Sequence, residues 1–275
     1  MFFLKQALYV VGIPIGNIFD FSQRAIFILK NVDIIATEDS RKAGLLLKFL
    51  NIKSKLISLN SYNEISLSYF FINNIKNGSS IALISDSGTP LISDPGFFLV
   101  ELFYKNNLRV IPIPGVSSFL TALSISAFNV DCFIFEGFLP KKDVYKKAYL
   151  YQFVSEKKVV IFFETSKRLL STLLLMKSIY LFNRRVFIVK NLTRLYENIL
   201  LFELGALDIF LKQNDFLFFD KGEFVLLLEG VDNDFSSFKN CYEFFIEYIN
   251  KRNSFFYSMS KFSSISRNLF YMYIF

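Results

Sequence analysis

Two stretches concentrate the side chains able to do acid–base or ligand chemistry. "TEDSR" (37–41) sets Glu38, Asp39 and Arg41 within four positions, and "SDSGTPLISDPG" (85–96) carries Asp86 and Asp94 among hydroxyl residues, two Gly and two Pro. The chain has no His, which removes Ser-His-Asp and Cys-His nucleophile chemistry. A proton taken from a substrate must then go to a carboxylate, a Lys or solvent. Asp39 is the favoured acceptor, with Arg41 orienting the carboxylate or the substrate, and Glu64 and Asp86 are the next carboxylates in line. Each has a plain structural alternative: Asp39 as a helix N-cap with a surface ion pair, Glu64 as a first-turn stabiliser of its helix, Asp86 as a brace of its loop. Asp86 and Asp94 offer oxygen ligands for Mg²⁺, but eight positions separate them and no third carboxylate joins them in the loop. No metal is expected.

Gly88 and Gly96 let a backbone approach a ligand closely, while Pro90 and Pro95 fix its course. "GIPIGN" (12–17) and "PGVSS" (114–118) are loops of the same kind. Neither GxGxxG nor GxxxxGK[ST] occurs, so dinucleotide and P-loop sites are absent. The three loops suit a neutral-to-cationic, nucleoside-like cofactor gripped by backbone groups.

Each loop follows a short apolar run, and these runs alternate with longer amphipathic ones. Strands are expected at 7–11, 33–37, 55–59, 81–84 and 108–113, and helices at 20–30 (capped by Asp20), 42–50, 63–77 and 95–106. Such alternation predicts a parallel α/β sheet covered on both faces, which brings all three loops to the carboxyl edge of the sheet, where open α/β folds bind ligands. Beyond "PIPGVSS" (112–118), five further strands are expected at 133–138, 159–164, 185–190, 198–204 and 223–230, with an antiparallel pair over 185–204. The predicted organisation is an α/β domain over 1–118, a mixed α/β domain over 119–232 and a helical tail over 233–275.

Composition sets the remaining bounds. The net charge of +7 fits a polyanionic partner, although 36 Phe and no Trp indicate drift toward AT-rich codons, which also inflates Lys. Lys141, Lys142, Lys146 and Lys147, interleaved with Tyr145 and Tyr149, can meet RNA phosphates and stack on splayed bases; a solvated helix face is the alternative. Cys132 and Cys241 are the only cysteines and stand outside any zinc or disulfide spacing, as in a reducing cytosol. No apolar run has the length of a membrane span, and the first residues lack a signal-cleavage pattern. A soluble, cytoplasmic protein is expected.

"LYVVGIPIGN", "VDIIATEDSRK", "ALISDSGTPLISDPG", "VIPIPGVSSFLTALSISA", "FIFEGFLP", "FFETSKRLL" and "KGEFVLLLEG" occur in this order between about residues 7 and 230. Together they resemble the ribosomal RNA small subunit methyltransferase I family, the 16S rRNA cytidine 2′-O-methyltransferases of the tetrapyrrole-methylase fold. The resemblance implies S-adenosylmethionine held between two α/β domains, commonly within a homodimer, and a ribose target in the decoding-centre region of the small ribosomal subunit. It implies cofactor contacts at Pro14, at Ser87, Gly88, Thr89 and Ile92, at Ser117 and Ser118, and at Phe163 and Glu164. The chain departs from the family at "NSYNE" (60–64), where members read a His-Glu-His-Asn-Glu-like run, and at Lys190–Asn191 in place of Arg-Glu. "FFETSKR" likewise lacks the usual Pro-His. Two alternatives stay open: a methylase of small tetrapyrroles, and a drifted relative that binds RNA or ribosomes without methylating.

Overall fold

The structure, a computed structural model, describes residues 4–213 and 221–231. The expected helical tail over 233–275 lies outside the described residues. The chain divides into two compact units. The first comprises the residues up to Ala127 together with Val189–Leu200 and Glu223–Val225; the second comprises Phe128–Ile188 and the remaining described residues.

The first unit is built on five strands: β1 (Leu8–Val11), β2 (Ile34–Thr37), β3 (Lys55–Ser58), β4 (Ile81–Ile84) and β5 (Val110–Ile113). Their order is β3-β2-β4-β1-β5, and every neighbouring pair is parallel. The helices between them are α1 (Gln23–Asn31), α2 (Ser40–Phe49), α3 (Glu64–Lys76) and α4 (Phe97–Lys105), with α5 (Ser118–Ser124) after β5. Strand residues point alternately to the two faces, and both faces are covered. Tyr9, Val11, Ile35, Ala82 and Ile84 pack with Leu29 of α1 and Leu47 of α2. Leu8, Ile34, Ala36, Ile81 and Leu83 pack with Phe71 and Ile75 of α3 and with Leu99 and Phe103 of α4. This explains why β2 and β4 are apolar or small at every position and buried throughout. Because all five strands run the same way, the loops after β1, β2, β4 and β5 emerge at one edge.

Helix starts follow local capping more closely than the sequence reading did. Asp20 does not cap α1; it closes a single 3₁₀ turn, Ile18–Asp20, which Asn17 caps through Phe19 N. Ser22 caps α1, its hydroxyl accepting from Ala25 N at 3.1 Å. Sequence spacing puts the domain break at 118, whereas α5 falls in the first unit, which runs on to Ala127.

The second sheet has the order β6-β7-β10-β8-β9, formed by β6 (Phe133–Phe138), β7 (Val159–Thr165), β8 (Arg185–Lys190), β9 (Asn198–Glu203) and β10 (Glu223–Leu228). Helices α6 (Asp143–Leu150), α7 (Ser166–Ile179) and α8 (Leu207–Gln213), with 3₁₀ turns at Tyr151–Phe153 and Leu204–Ala206, complete the described elements. β6 and β7 pair in parallel around a bulge between Phe135 and Gly137, where Gly137 has φ 63°. Among the described residues no helix is long and apolar enough to cross a membrane.

Arg184 holds the second unit together from inside. It is 4% exposed, and its guanidinium donates to the carbonyls of Glu229 (2.8 Å), Phe153 (2.8 Å) and Val154 (3.0 Å) while lying 4.6 Å from the centre of the Tyr180 ring. Burial lowers its pKa to about 10, so it remains charged at neutral pH. Arg184→Met leaves these carbonyls without a donor, each at about 1–3 kcal/mol. We expect a total loss of about 3 kcal/mol or more in urea unfolding; a loss below about 1 kcal/mol would show that water replaces the guanidinium.

Candidate functional site

At the carboxyl edge of the first sheet, three loops are laced together by backbone. Ile13 N donates to Gly88 O at 2.9 Å and Gly88 N to Pro14 O at 3.4 Å, forming an isolated bridge between the loops after β1 and β4. Thr89 Oγ1 donates to Val116 O at 3.2 Å, tying in the loop after β5. Gly12 and Gly115 pass so closely that a Cβ on Gly115 would lie 2.4 Å from Gly12 C. Gly88 takes φ +73°, and a Cβ there would meet Ile15 Cγ2 at 3.3 Å, so part of its need for glycine is internal to the loops. A cavity of about 330 Å³ opens beside this knot, lined by Pro14, Gly16, Leu46 and Ser87, with Lys42 and Arg194 contributing charge. Arg194 belongs to the first unit, where it donates to Ile15 O (3.2 Å) and pairs with Glu223 (2.8 Å).

A second cleft, of about 500 Å³, is lined by Asp39, Arg41, Lys42, Ser58, Asn60 and Asp86, among others. The carboxylates at this edge fall into two groups. Asp39 caps α2, accepting from Arg41 N at 2.9 Å, and takes both Nε (3.1 Å) and Nη2 (2.8 Å) of the Arg41 guanidinium. These hydrogen bonds from Arg41 hold its pKa down at about 2. Asp86 accepts from Asp39 N at 3.1 Å and pairs with Lys42, joining the ends of β4 and β2. Glu64 Oε1 accepts from Gly96 N (3.1 Å), Phe98 N (2.8 Å) and Leu99 N (3.3 Å); it caps α4, whose own N-cap is Gly96 with φ 128° and no side chain to offer. Asp94 and Glu38 behave oppositely. Burial, then the charge of Glu38, pushes Asp94 up to about 6 against a hydrogen bond from Ser85. Burial, then the charge of Asp86, also raises Glu38. Among the described residues no three His, Cys, Asp or Glu side chains gather as a metal site.

The family described as Tetrapyrrole (Corrin/Porphyrin) Methylases matches residues 7–208. Ribosomal RNA small subunit methyltransferase I of Rickettsia prowazekii (strain Madrid E) is 42% identical over 227 residues, which cover 82% of this chain and 79% of that protein. Its namesake in Haemophilus influenzae (strain ATCC 51907 / DSM 11121 / KW20 / Rd) is 40% identical over 227 residues, covering 82% and 80%. The chain belongs to the ribosomal RNA small subunit methyltransferase I family. Among solved structures, the cobalt precorrin-4 methyltransferase of cobalamin biosynthesis aligns with TM-score 0.58 at 15% identity, over 81% of this chain and 94% of that one. A uroporphyrin-III C-methyltransferase from Thermus thermophilus, complexed with S-adenosyl homocysteine, aligns with TM-score 0.56 at 14% identity, over 80% and 96%. These two share the fold of tetrapyrrole methyltransferases.

Within this methyltransferase family fold, the residues expected to act at the site separate by position. Pro14 and Ser87 line the smaller cavity, Gly88 and Thr89 lock the loops, and Ile92 is 39% exposed. Ser117 is the N-cap residue of α5 without a side-chain capping bond, and Ser118 is the first residue of that helix. Phe163 and Glu164 lie on β7 in the second unit. Phe163 packs edge-on between Phe135 and Phe138, at ring distances of 5.0 and 5.5 Å. The Glu164 side chain is 1% exposed and accepts from Thr172 Oγ1 (2.7 Å), Thr165 N (2.9 Å) and Arg168 Nη2 (3.3 Å), binding α7 to β7. Lys146, expected among the RNA contacts, has no exposed surface to offer. It is wholly buried, with Nζ 3.0 Å from Ser171 Oγ and 3.1 Å from Asp143 Oδ1, bracing α6 against α7; Lys141 and Lys142 are exposed and Lys147 is half-buried. Asp39 and Glu64 both prove to be helix caps, with acceptor oxygens committed to backbone amides. Sequence reasoning missed Lys42 and Arg194, single basic residues in a Lys-rich chain, and passed over Asp94 as a proton acceptor although it lies in the most distinctive loop.

The Glu64 assignment has a direct check. Glu64→Ala strands three amides at the start of α4, and we expect a loss of about 1–3 kcal/mol in urea unfolding. Glu64→Gln keeps an acceptor oxygen and should recover more than half of that loss with a near-normal single-turnover rate. A stable Glu64→Gln protein slowed a hundredfold would instead make the carboxylate chemical.

Proposed function

We propose that the chain is an S-adenosylmethionine-dependent methyltransferase that methylates the ribose 2′-hydroxyl of a cytidine in 16S rRNA, in the decoding-centre region of the small ribosomal subunit. The observation that carries this reading is identity near 40% to proteins named ribosomal RNA small subunit methyltransferase I across some 80% of their length. The laced loops and their cavity support it. The cavity's chemistry fits the cofactor: Ile13, Pro14, Ile18 and Leu46 offer an apolar wall, Ser87 adds a hydroxyl, and the charge of Asp86 is balanced by Lys42. When bound there, S-adenosylmethionine supplies an electrophilic methyl group on a sulfonium. The family resemblance further implies a homodimer working in the cytoplasm on the subunit itself.

What this chain must add is orientation of the hydroxyl and a destination for its proton. Orientation of reacting groups is worth up to effective molarities on the order of 10⁵–10⁸ M, and a matched base about 10²–10⁴-fold. A base works best when its pKa lies near the working pH. Asp39, at about 2, is too weak a base for this. Asp94, at about 6, is matched to it and lies within electrostatic reach of Glu38 and Asp86 on the wall of the larger cleft.

Only the ionised carboxylate accepts a proton, so the single-turnover rate on small subunits should rise with pH through about 6 and level off above it. Asp94→Asn should lower that rate at least tenfold and abolish the limb, whereas Asp39→Asn should leave both nearly intact. An unchanged rate and profile in Asp94→Asn would remove the residue from the mechanism. Wild-type protein that binds subunits and transfers no methyl group would overturn the enzymatic reading in favour of a binding protein.

A further inference from the structure

Tyr62 stands 99% exposed on the turn between β3 and α3. Single exposed apolar residues are ordinary; the mounting of this one is not. Leu59, on one side, is fully buried and its N–H donates to Thr37 O at 2.7 Å. Glu64, on the other side, is fixed to the start of α4 through three amides. Between them Asn60 and Asn63 brace the turn. Asn60 Oδ1 accepts from Tyr62 N (3.0 Å) and Asn63 N (3.2 Å), Asn63 Oδ1 accepts from Asn60 N (2.8 Å), and Asn63 Nδ2 donates to Ser58 O (3.0 Å). An aromatic ring in water is thus carried by a backbone tied down at both ends and in the middle.

Ser58 and Asn60, two ends of this bracing, also line the 500 Å³ cleft beside Arg41, whose side chain is 89% exposed. A rigid aromatic face next to a polar, cation-bearing cleft is the combination by which proteins hold single-stranded nucleic acid: the ring stacks a base and polar groups meet the sugar and phosphate. We propose that this turn is a nucleobase platform, on which Tyr62 stacks an unpaired base of the RNA substrate while the attached nucleotide enters the cleft lined by Ser58, Asn60 and Arg41. This rests on the reading of the chain as acting on ribosomal RNA. Stacking is sequence-tolerant because every base has a flat face, so the platform supplies affinity and placement rather than base identity. Pre-fixing the turn lowers the ordering cost when the base docks.

The test is equilibrium binding of purified small ribosomal subunits to full-length wild type, Tyr62→Ala, Tyr62→Phe and Tyr62→Leu, with single-turnover methyl transfer measured in parallel. We expect Tyr62→Ala to weaken subunit binding by about 5- to 150-fold, the range one base–aromatic stack provides. The melting temperature should hold, and methyl transfer at subunit concentrations below the dissociation constant should fall in step with the lost binding. Tyr62→Phe should restore binding to within about threefold, and Tyr62→Leu, apolar but without a π face, should not. Binding by Tyr62→Ala within twofold of wild type, or equal rescue by Leu and Phe, would overturn the platform even if methyl transfer proceeds normally. Wild-type binding without methyl transfer would sink the enzymatic reading and leave the Tyr62 comparison intact. Wild type that fails to bind subunits would overturn both.

Discussion

β1 and β5 are adjacent parallel strands, and the loops leaving them run side by side at a separation that admits no side chain on either. A Cβ on Gly12 would lie 2.8 Å from Gly115 Cα, and one on Gly115 still closer to Gly12, while Gly12 N donates to Ile113 O at 3.0 Å. This backbone contact lets the first loop continue into its bridge with Gly88, and Thr89 then reaches Val116. The smaller cavity lies beside loops joined mainly through their backbones, with the Thr89 hydroxyl making the last link. A chain with only 11 Gly in 275 residues spends two of them on this one crossing.

Around those loops, carboxylates serve as clamps for backbone. Asp39 caps α2, Asp86 reaches across to Asp39 N, and Glu64 caps a helix that begins 33 residues later in the chain. Each stabilises amides that helix starts leave without partners. Environment then sorts the titratable groups of one sheet edge: Arg41 holds Asp39 ionised at any physiological pH, whereas Asp94, half removed from water and facing other negative charge, sits near neutrality. Two carboxyls driven apart in this way can divide structural and chemical work between them.

The first sheet was legible because its physics is local. Runs such as "DIIAT" and "IALI" are too short for buried helices and read as strands buried on both faces, with turn residues marking where they end. Asp39 as an N-cap was legible for the same reason. Lys146 was not, because its burial depends on how α6 packs against α7, where it donates to Ser171, and a Lys in a basic run reads as solvated until that packing is known. Glu64 was half legible: its place at the start of α3 could be read, but its acceptors at Gly96, Phe98 and Leu99 depend on how α3 and α4 lie together. Asp20 lost the α1 cap to Ser22 because a 3₁₀ turn intervened, which shifted the helix start by three residues to Gln23.

The turn at "NSYNE" shows how a chain without histidine keeps this site. Three side chains build the turn: Asn60 accepts from Tyr62 N and Asn63 N, Asn63 bonds both Asn60 N and Ser58 O, and Glu64 anchors the turn to α4; Asn63 and Glu64 are the two shared with the His-Glu-His-Asn-Glu pattern. Of the positions that differ, Asn60 braces the turn, whereas Ser61 and Tyr62 face water, and Tyr62 presents an aromatic ring. An imidazole and a phenol at that position have a flat π face in common. The cleft that Ser58 and Asn60 line below that ring is closed by the residues at the ends of β2 and β4, where Glu38, Asp39 and Asp86 bring their carboxyls to it.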